Sequence, residues 1–199
     1  MNNNFNFVAP FYDILAHLVF GNNLIKSQIH FLSKIKRTDE VLILGGGTGE
    51  LLESIPQCKS VSFLDLSEKM IVRAKNRMSK NPIDFICADF LTHDFHSKYD
   101  VIICPFFLDC FNESNLKEVI SKIKNLLKDN GRLIVTDFQK TNDNRFFLNL
   151  MHYFFRVSTS LEAETLKNIH REVELRGFIR LELKYFYRNM IFSRLYGNL

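Results

Sequence analysis

Three glycines at alternate positions, Gly45, Gly47 and Gly49, close a short apolar run, Val41-Leu42-Ile43-Leu44, and two carboxylates, Asp65 and Asp89, stand just past later apolar runs. Each residue type has a chemical use. Glycines let the chain turn sharply and let a ligand lie against bare backbone. A carboxylate at the C-terminal end of a strand can accept from both hydroxyls of a ribose. A helix beginning near Gly49 would aim unpaired N–H groups and a positive dipole end at the same ligand. Together these describe a cradle for a nucleotide-like molecule. The dinucleotide fingerprint G-x-G-x-x-G fits poorly, because Gly49 comes one residue early, and no Gly-Lys-Ser/Thr follows, which removes a P-loop.

The elements that position these residues are legible in the pattern. Val41–Leu44 is short, apolar and without alternation, as a strand buried on both faces should be. A helix from about Glu50 to Ile55 follows, stopped by Pro56. Val61–Asp65 is the second strand and Ile83–Cys87 the third. Tyr99–Cys104 is the fourth, running into Pro105-Phe106-Phe107-Leu108-Asp109-Cys110-Phe111. Ser67 is placed to cap a helix that carries Met70. Glu113–Leu127 reads as a helix, Lys128-Asp129-Asn130-Gly131 as its stop and Arg132–Phe138 as the fifth strand. Ile179–Tyr187 and Met190–Tyr196 alternate across Arg188-Asn189, which predicts an antiparallel hairpin at a sheet edge. Helices are also expected after Pro10, over Leu24–Ile35, Asn144–Val157 and Leu161–Arg176, the last with Gly177 at its stop. The segment 144–157 is apolar nearly all round, too much for one face of a surface helix.

This ordered set resembles the class I S-adenosylmethionine-dependent methyltransferases. Val-Leu-Ile-Leu-Gly-Gly-Gly-Thr-Gly is similar to their first motif, Asp-Leu-Ser-Glu-Lys-Met to the second, and Leu-Lys-Asp-Asn-Gly-Arg-Leu-Ile-Val-Thr-Asp-Phe to the third. Phe-Tyr-Asp near the N-terminus resembles the ubiquinone/menaquinone biosynthesis branch. The resemblance implies a Rossmann-like, doubly wound α/β sheet of seven strands, mostly parallel with an antiparallel C-terminal hairpin, and S-adenosylmethionine as cofactor, leaving as S-adenosylhomocysteine. The residues it places against that cofactor are Tyr12, Gly45, Gly46, Gly47, Gly49, Asp65, Leu66, Met70, Ala88, Asp89, Phe90 and Cys104. Asp65 takes the ribose and is expected near solvent, Met70 borders the adenine, and Asp89 receives the adenine amino group while Phe90 helps to sandwich the ring. One departure is plain. The family carries an acid where this chain has Ile43, so its task of ordering the loop or the cofactor's ammonium must pass elsewhere, to backbone carbonyls or Glu50.

Substrate-facing positions are aromatic and apolar: Phe11, Phe106, Phe107, Phe111, Met151 and Phe155, with Tyr153 and Phe154 beside them. Such walls favour a flat or greasy small molecule. Cys104-Pro105-Phe106-Phe107 lacks the Asn/Asp-Pro-Pro-Tyr/Phe signature of amide methyltransferases, which argues against amide, base-amine or DNA methylation. The acceptor is therefore expected to be oxygen or carbon of a small apolar or aromatic metabolite. Candidate general bases are His17, Asp109 and His152, with Tyr153 on the same segment. No metal is expected, since His93 and His96 have no further ligand nearby. Rival readings are a nicotinamide oxidoreductase, disfavoured by the glycine spacing, and a non-catalytic cofactor-binding module, to which Ile43 lends a little support. An aminopropyltransferase of the spermidine-synthase kind would normally place Glu at the ribose position.

Composition sets the bounds. The 199 residues suffice for one domain, divided as a helical cap (1–36), a cofactor-binding core (37–138), a substrate-cover helix (139–160) and a last helix with edge hairpin (161–199). The net charge of +4 is too small and too scattered to argue for nucleic acid. No apolar run approaches the ~18 residues of a membrane span. The N-terminus lacks the features of a signal peptide, and the four cysteines form no C-x-x-C pair. These point to a cytoplasmic monomer or homodimer with reduced thiols.

Overall fold

A computed structural model describes residues 21–139 and 169–198. Seven strands form one sheet: β1 Glu40–Leu44, β2 Ser60–Asp65, β3 Ile83–Cys87, β4 Tyr99–Pro105, β5 Leu127–Phe138, β6 Phe178–Phe186 and β7 Ile191–Asn198. Their order is β3-β2-β1-β4-β5-β7-β6. The first five run parallel, while β7 lies antiparallel between β5 and β6. This is the expected doubly wound α/β sheet with a reversed hairpin.

The four apolar residues of β1 divide between two cores, which explains why none could be polar. Leu42 and Leu44 face one layer with β4, β5, α3 (Glu113–Leu126) and α4 (Ile169–Leu175). Val41 and Ile43 face the other, with Leu51, Leu52, Ile71 and Ala74. The helix α2 (Glu68–Lys75) is capped as expected: the Ser67 hydroxyl accepts from Met70 N–H at 3.3 Å. Asn112 does the same for α3, accepting from Asn115 N–H at 2.9 Å.

Three expectations change in detail. Leu24–Ile35 is not one helix but a short α-helix, α1 (Asn23–Ile29), and a 3-10 turn at Leu32–Lys34. The helix behind the glycines is a five-residue 3-10 helix, Glu50–Ser54. Pro56 follows so soon that no α-helical ladder can build. The stop at Lys128–Gly131 lies within β5 as a bulge, since Tyr99 pairs with Leu127 and Val101 already with Arg132. Asn130 supplies the positive φ of 61° that the bulge needs. The hairpin turns at Tyr187-Arg188-Asn189, all three left-handed.

Under the hairpin, α4 brings His170 onto Phe192 at 4.0 Å between centroids and puts its Nδ1 2.9 Å from the Tyr196 hydroxyl. Burial and the Arg194 cation lower its pKa to about 4. The unfolded chain therefore binds a proton near pH 6.5 that the folded chain refuses until about pH 4. Stability should be flat above pH 6.5 from this group and fall as pH drops toward 4. The partly exposed ring makes the effect smaller than a fully buried one. Comparing melting temperatures of the wild type and His170→Phe between pH 7 and 4.5 checks this, and parallel curves would refute it.

Candidate functional site

The strand order reverses between β1 and β4, and ligands of such sheets bind beyond the carboxyl ends of the strands at that point. The glycine loop forms one wall. Gly45, Gly47 and Gly49 all have positive φ, at 65°, 58° and 75°. At Gly47 an added Cβ would meet nothing within 4 Å, so its bare backbone faces open space.

The loop is held by the neighbouring strand. The Leu64 carbonyl accepts from Gly45 N–H at 2.8 Å and from Gly46 N–H at 3.4 Å. Asp65 then grips the loop with one carboxylate oxygen, accepting from Gly47 N–H at 2.8 Å, and the start of α2 with the other, accepting from Ser67 N–H at 2.8 Å. This corrects the expectation of a solvent-near Asp65: the residue is 8% exposed. Burial pushes its carboxyl pKa up, while the two N–H donors pull it back. It also answers where the work of the missing acid goes. Ile43 is fully buried among apolar neighbours, and the loop-ordering is done by the Leu64 carbonyl and Asp65, not by the exposed Glu50.

The loop amides are thus largely spent inside the protein, because Gly49 N–H also donates to the Gly46 carbonyl. A 3-10 helix this short adds little dipole. What remains for a ligand is the open backbone at Gly47 and the acceptor positions left on Asp65, whose carboxylate has about four of them.

The residues expected beside a nucleoside lie at the ends of β2 and β3 and in the turns after them. Leu66 is 40% exposed, while Met70 is buried. Ala88 is half-buried and ties to the Asp65 carbonyl at 3.2 Å. Asp89 is half-buried, and one of its oxygens accepts from Leu91 N–H at 2.8 Å. Phe90 departs from its expected place as an open wall. Its ring is 3% exposed, packed against Phe95 and Phe107 with the Lys122 ammonium 5.3 Å away. It belongs to the core because the layer under α3 closes over it. Cys104 is likewise fully buried, its thiol pushed far up by burial, so only its backbone can border a ligand.

The other wall is the segment after β4. Phe106 takes a positive φ of 52° and lays its ring on Phe138 at 4.8 Å. Phe107 turns the other way, between Phe90 and Phe111, with its ring against Gly45. Phe111 is buried and forms the floor under Phe107. Asp109 is half-buried, and its N–H donates to Asp137 Oδ2 at 3.2 Å. Asp137 was not anticipated, although an acid ending a buried strand is the signal that marked Asp65. Tyr12, Phe11, His17, Met151, His152, Tyr153, Phe154 and Phe155 lie outside the described residues.

A glycine loop and an acid locked together at the switch point of a 3-2-1-4-5-7-6 sheet define the class I S-adenosylmethionine-dependent methyltransferase architecture. Residues 41–131 match the family described as "Methyltransferase domain", and the chain is similar to methyltransferases of this class. It is 29% identical over 147 residues to the ubiquinone/menaquinone biosynthesis C-methyltransferase UbiE of Francisella tularensis subsp. novicida, covering 68% of this chain and 58% of that one. It is 27% identical over 143 residues to the malonyl-[acyl-carrier protein] O-methyltransferase of Anoxybacillus flavithermus, covering 69% and 52%. The chain spans about half the length of the curated relatives it matches. Among solved structures, the methyltransferase in the Haloferax volcanii complex with the Trm112 activator superposes with a TM-score of 0.76 over 100% of this chain and 99% of that one, at 14% identity, which speaks for the fold alone. Among the described residues no helix is long and apolar enough to cross a membrane.

Proposed function

We propose that this protein transfers the methyl group of S-adenosylmethionine to oxygen or carbon of a small apolar or aromatic metabolite, without a metal. The observation that carries the cofactor reading is the loop bound through Gly47 to Asp65, with open space over Gly47. When bound, S-adenosylmethionine supplies an electrophilic methyl group, and catalysis is mainly alignment and exclusion of water. The bare backbone at Gly47 admits the cofactor closely. Asp65 holds the ribose with its remaining acceptor positions, and Asp89 receives the adenine amino group. Phe106 and Phe107 wall the acceptor side. A phenol or enol acceptor sheds a proton in the transfer, and His17, Asp109 and His152 are the groups the sequence offers for it. The two relatives named as C- and O-methyltransferases support carbon or oxygen as the target.

Calorimetry should show S-adenosylmethionine and S-adenosylhomocysteine binding at micromolar strength and NAD not binding. NAD heat without an S-adenosylhomocysteine signal would overturn the cofactor reading. A screen of phenols, quinones, amines and carboxylates with labelled S-adenosylmethionine, with and without a chelator, tests the acceptor. Turnover confined to amines, or abolished by the chelator, would overturn that part alone.

A further inference from the structure

The resemblance expects an acid where this chain has Ile43, which is fully buried in an apolar layer, so a cofactor ammonium would need another counter-charge. Pairing of Ile43 with Ile103 and of Pro105 with Thr136 sets Gly45, Pro105 and Thr136 at one level across β1, β4 and β5. Asp137 stands one residue beyond that level and is fully buried. The segment after β4 folds back over the same level. Phe106 N–H donates to the Thr136 carbonyl at 2.7 Å, Asp109 N–H reaches Asp137 Oδ2 at 3.2 Å, and the Phe107 ring lies against Gly45. The Asp109 and Asp137 side chains are hydrogen-bonded to each other, and Cys110 Sγ sits 3.5 Å from Asp109 Oδ1. The field of Asp65 also reaches Cys110. Carboxylates thus stand on β2, on the segment after β4 and on β5, at the carboxyl ends of neighbouring parts of the sheet. A ligand with a ribose at one end and an ammonium at the other fits that row.

We propose that Asp109 and Asp137 together hold the ammonium group at the methionine end of S-adenosylmethionine, in place of the carboxylate the family carries where this chain has Ile43. The inference rests on the cofactor reading above, and it removes Asp109 from the candidate bases. Two carboxyls in hydrogen-bond contact share a proton, because both cannot ionise side by side. Burial and the neighbouring Asp109 push Asp137 well above the ordinary carboxylate range. Among the described residues, the other ionisable groups around the pair are Cys104 of β4, Cys110 and, on the side of β2, Asp65. An arriving ammonium supplies the charge that lets the shared proton leave, so binding is coupled to proton release.

Calorimetry of the full chain in buffers of different ionisation enthalpy reads that release directly. S-adenosylhomocysteine should expel a measurable fraction of a proton between pH 6.5 and 8, and 5′-methylthioadenosine, which lacks the amino-acid end, none. Asp109→Asn should weaken S-adenosylhomocysteine by roughly tenfold to a hundredfold, the worth of a charged hydrogen bond, and leave methylthioadenosine within about twofold. Asp137→Asn should abolish the proton release. The wild-type proton count stands whether or not either variant folds. Absence of release in the wild type, unchanged S-adenosylhomocysteine affinity in a folded Asp109→Asn, or equal losses for both ligands each overturn the proposal while the cofactor reading survives. Failure of the wild type to bind S-adenosylhomocysteine overturns both.

Discussion

Gly49→Ala should lower the stability of the protein by about 3 kcal/mol, the sum of forcing a side chain into the left-handed region and overfilling a packed site. The φ of Gly49 is 75°. A Cβ there would stand 2.8 Å from the Ala74 Cβ and 2.9 Å from the Ala74 Cα. One of those atoms is backbone of α2, so the neighbour cannot swing away as a long side chain could. For a chain of this size the loss corresponds to a melting point lower by about 6–12 °C. Gly47→Ala is the informative contrast. Its φ is also positive, but its Cβ would meet nothing, so only the conformational cost of about 1–2 kcal/mol applies. On the proposed reading the same Cβ would intrude on the cofactor's place. Thermal melts without ligand and calorimetry with S-adenosylhomocysteine should separate the two, Gly49→Ala failing in the melt and Gly47→Ala mainly in binding. Equal melting points for Gly49→Ala and the wild type would show that α2 does not press on the loop.

Asp65→Ala should fail in both assays. Its carboxylate is the acceptor for Gly47 N–H and Ser67 N–H, and Asp65 is 8% exposed. Removing it strands two donors, at about 1–3 kcal/mol where water cannot replace the acceptor. On the proposed reading it also removes the ribose acceptor, which should weaken S-adenosylhomocysteine by a further 1.5–3 kcal/mol or so. The sequence alone suggests the second loss without the first, since an acid ending a strand looks replaceable. A variant with the wild-type melting point and normal binding would refute both roles. One that melts lower yet binds normally would leave Asp65 as a clamp on the loop and nothing more.

The aromatic wall divides in a way the sequence conceals. Phe106 and Phe107 are neighbours in the chain, yet one packs on Phe138 and the other on Phe90 and Phe111. The positive φ of Phe106 is what sends them apart. It turns the chain back toward β5 and brings Asp109 to Asp137.

Features that depend only on neighbouring residues were legible in the chain. The run Val41–Leu44 ending in glycines set β1 and its loop, Ser67 set the start of α2, and Arg188-Asn189 set the hairpin. These are short-range matters of steric freedom, capping and alternation, readable wherever the residues stand. The tertiary structure decided which faces and oxygens were already in use. Asp65 is clasped by an amide 18 positions before it, and Asp137 meets Asp109 across 28 positions. Phe90 and Cys104 carry the residue types of a pocket but point into the layer under α3. Ile43 packs well where the resemblance expects an acid because the face it points to is apolar throughout. A side chain's partners depend on which layer closes over it, and that layer is assembled from segments far apart in the chain. Spacing within any one motif therefore carried the place of the site but not the division of labour among its acids.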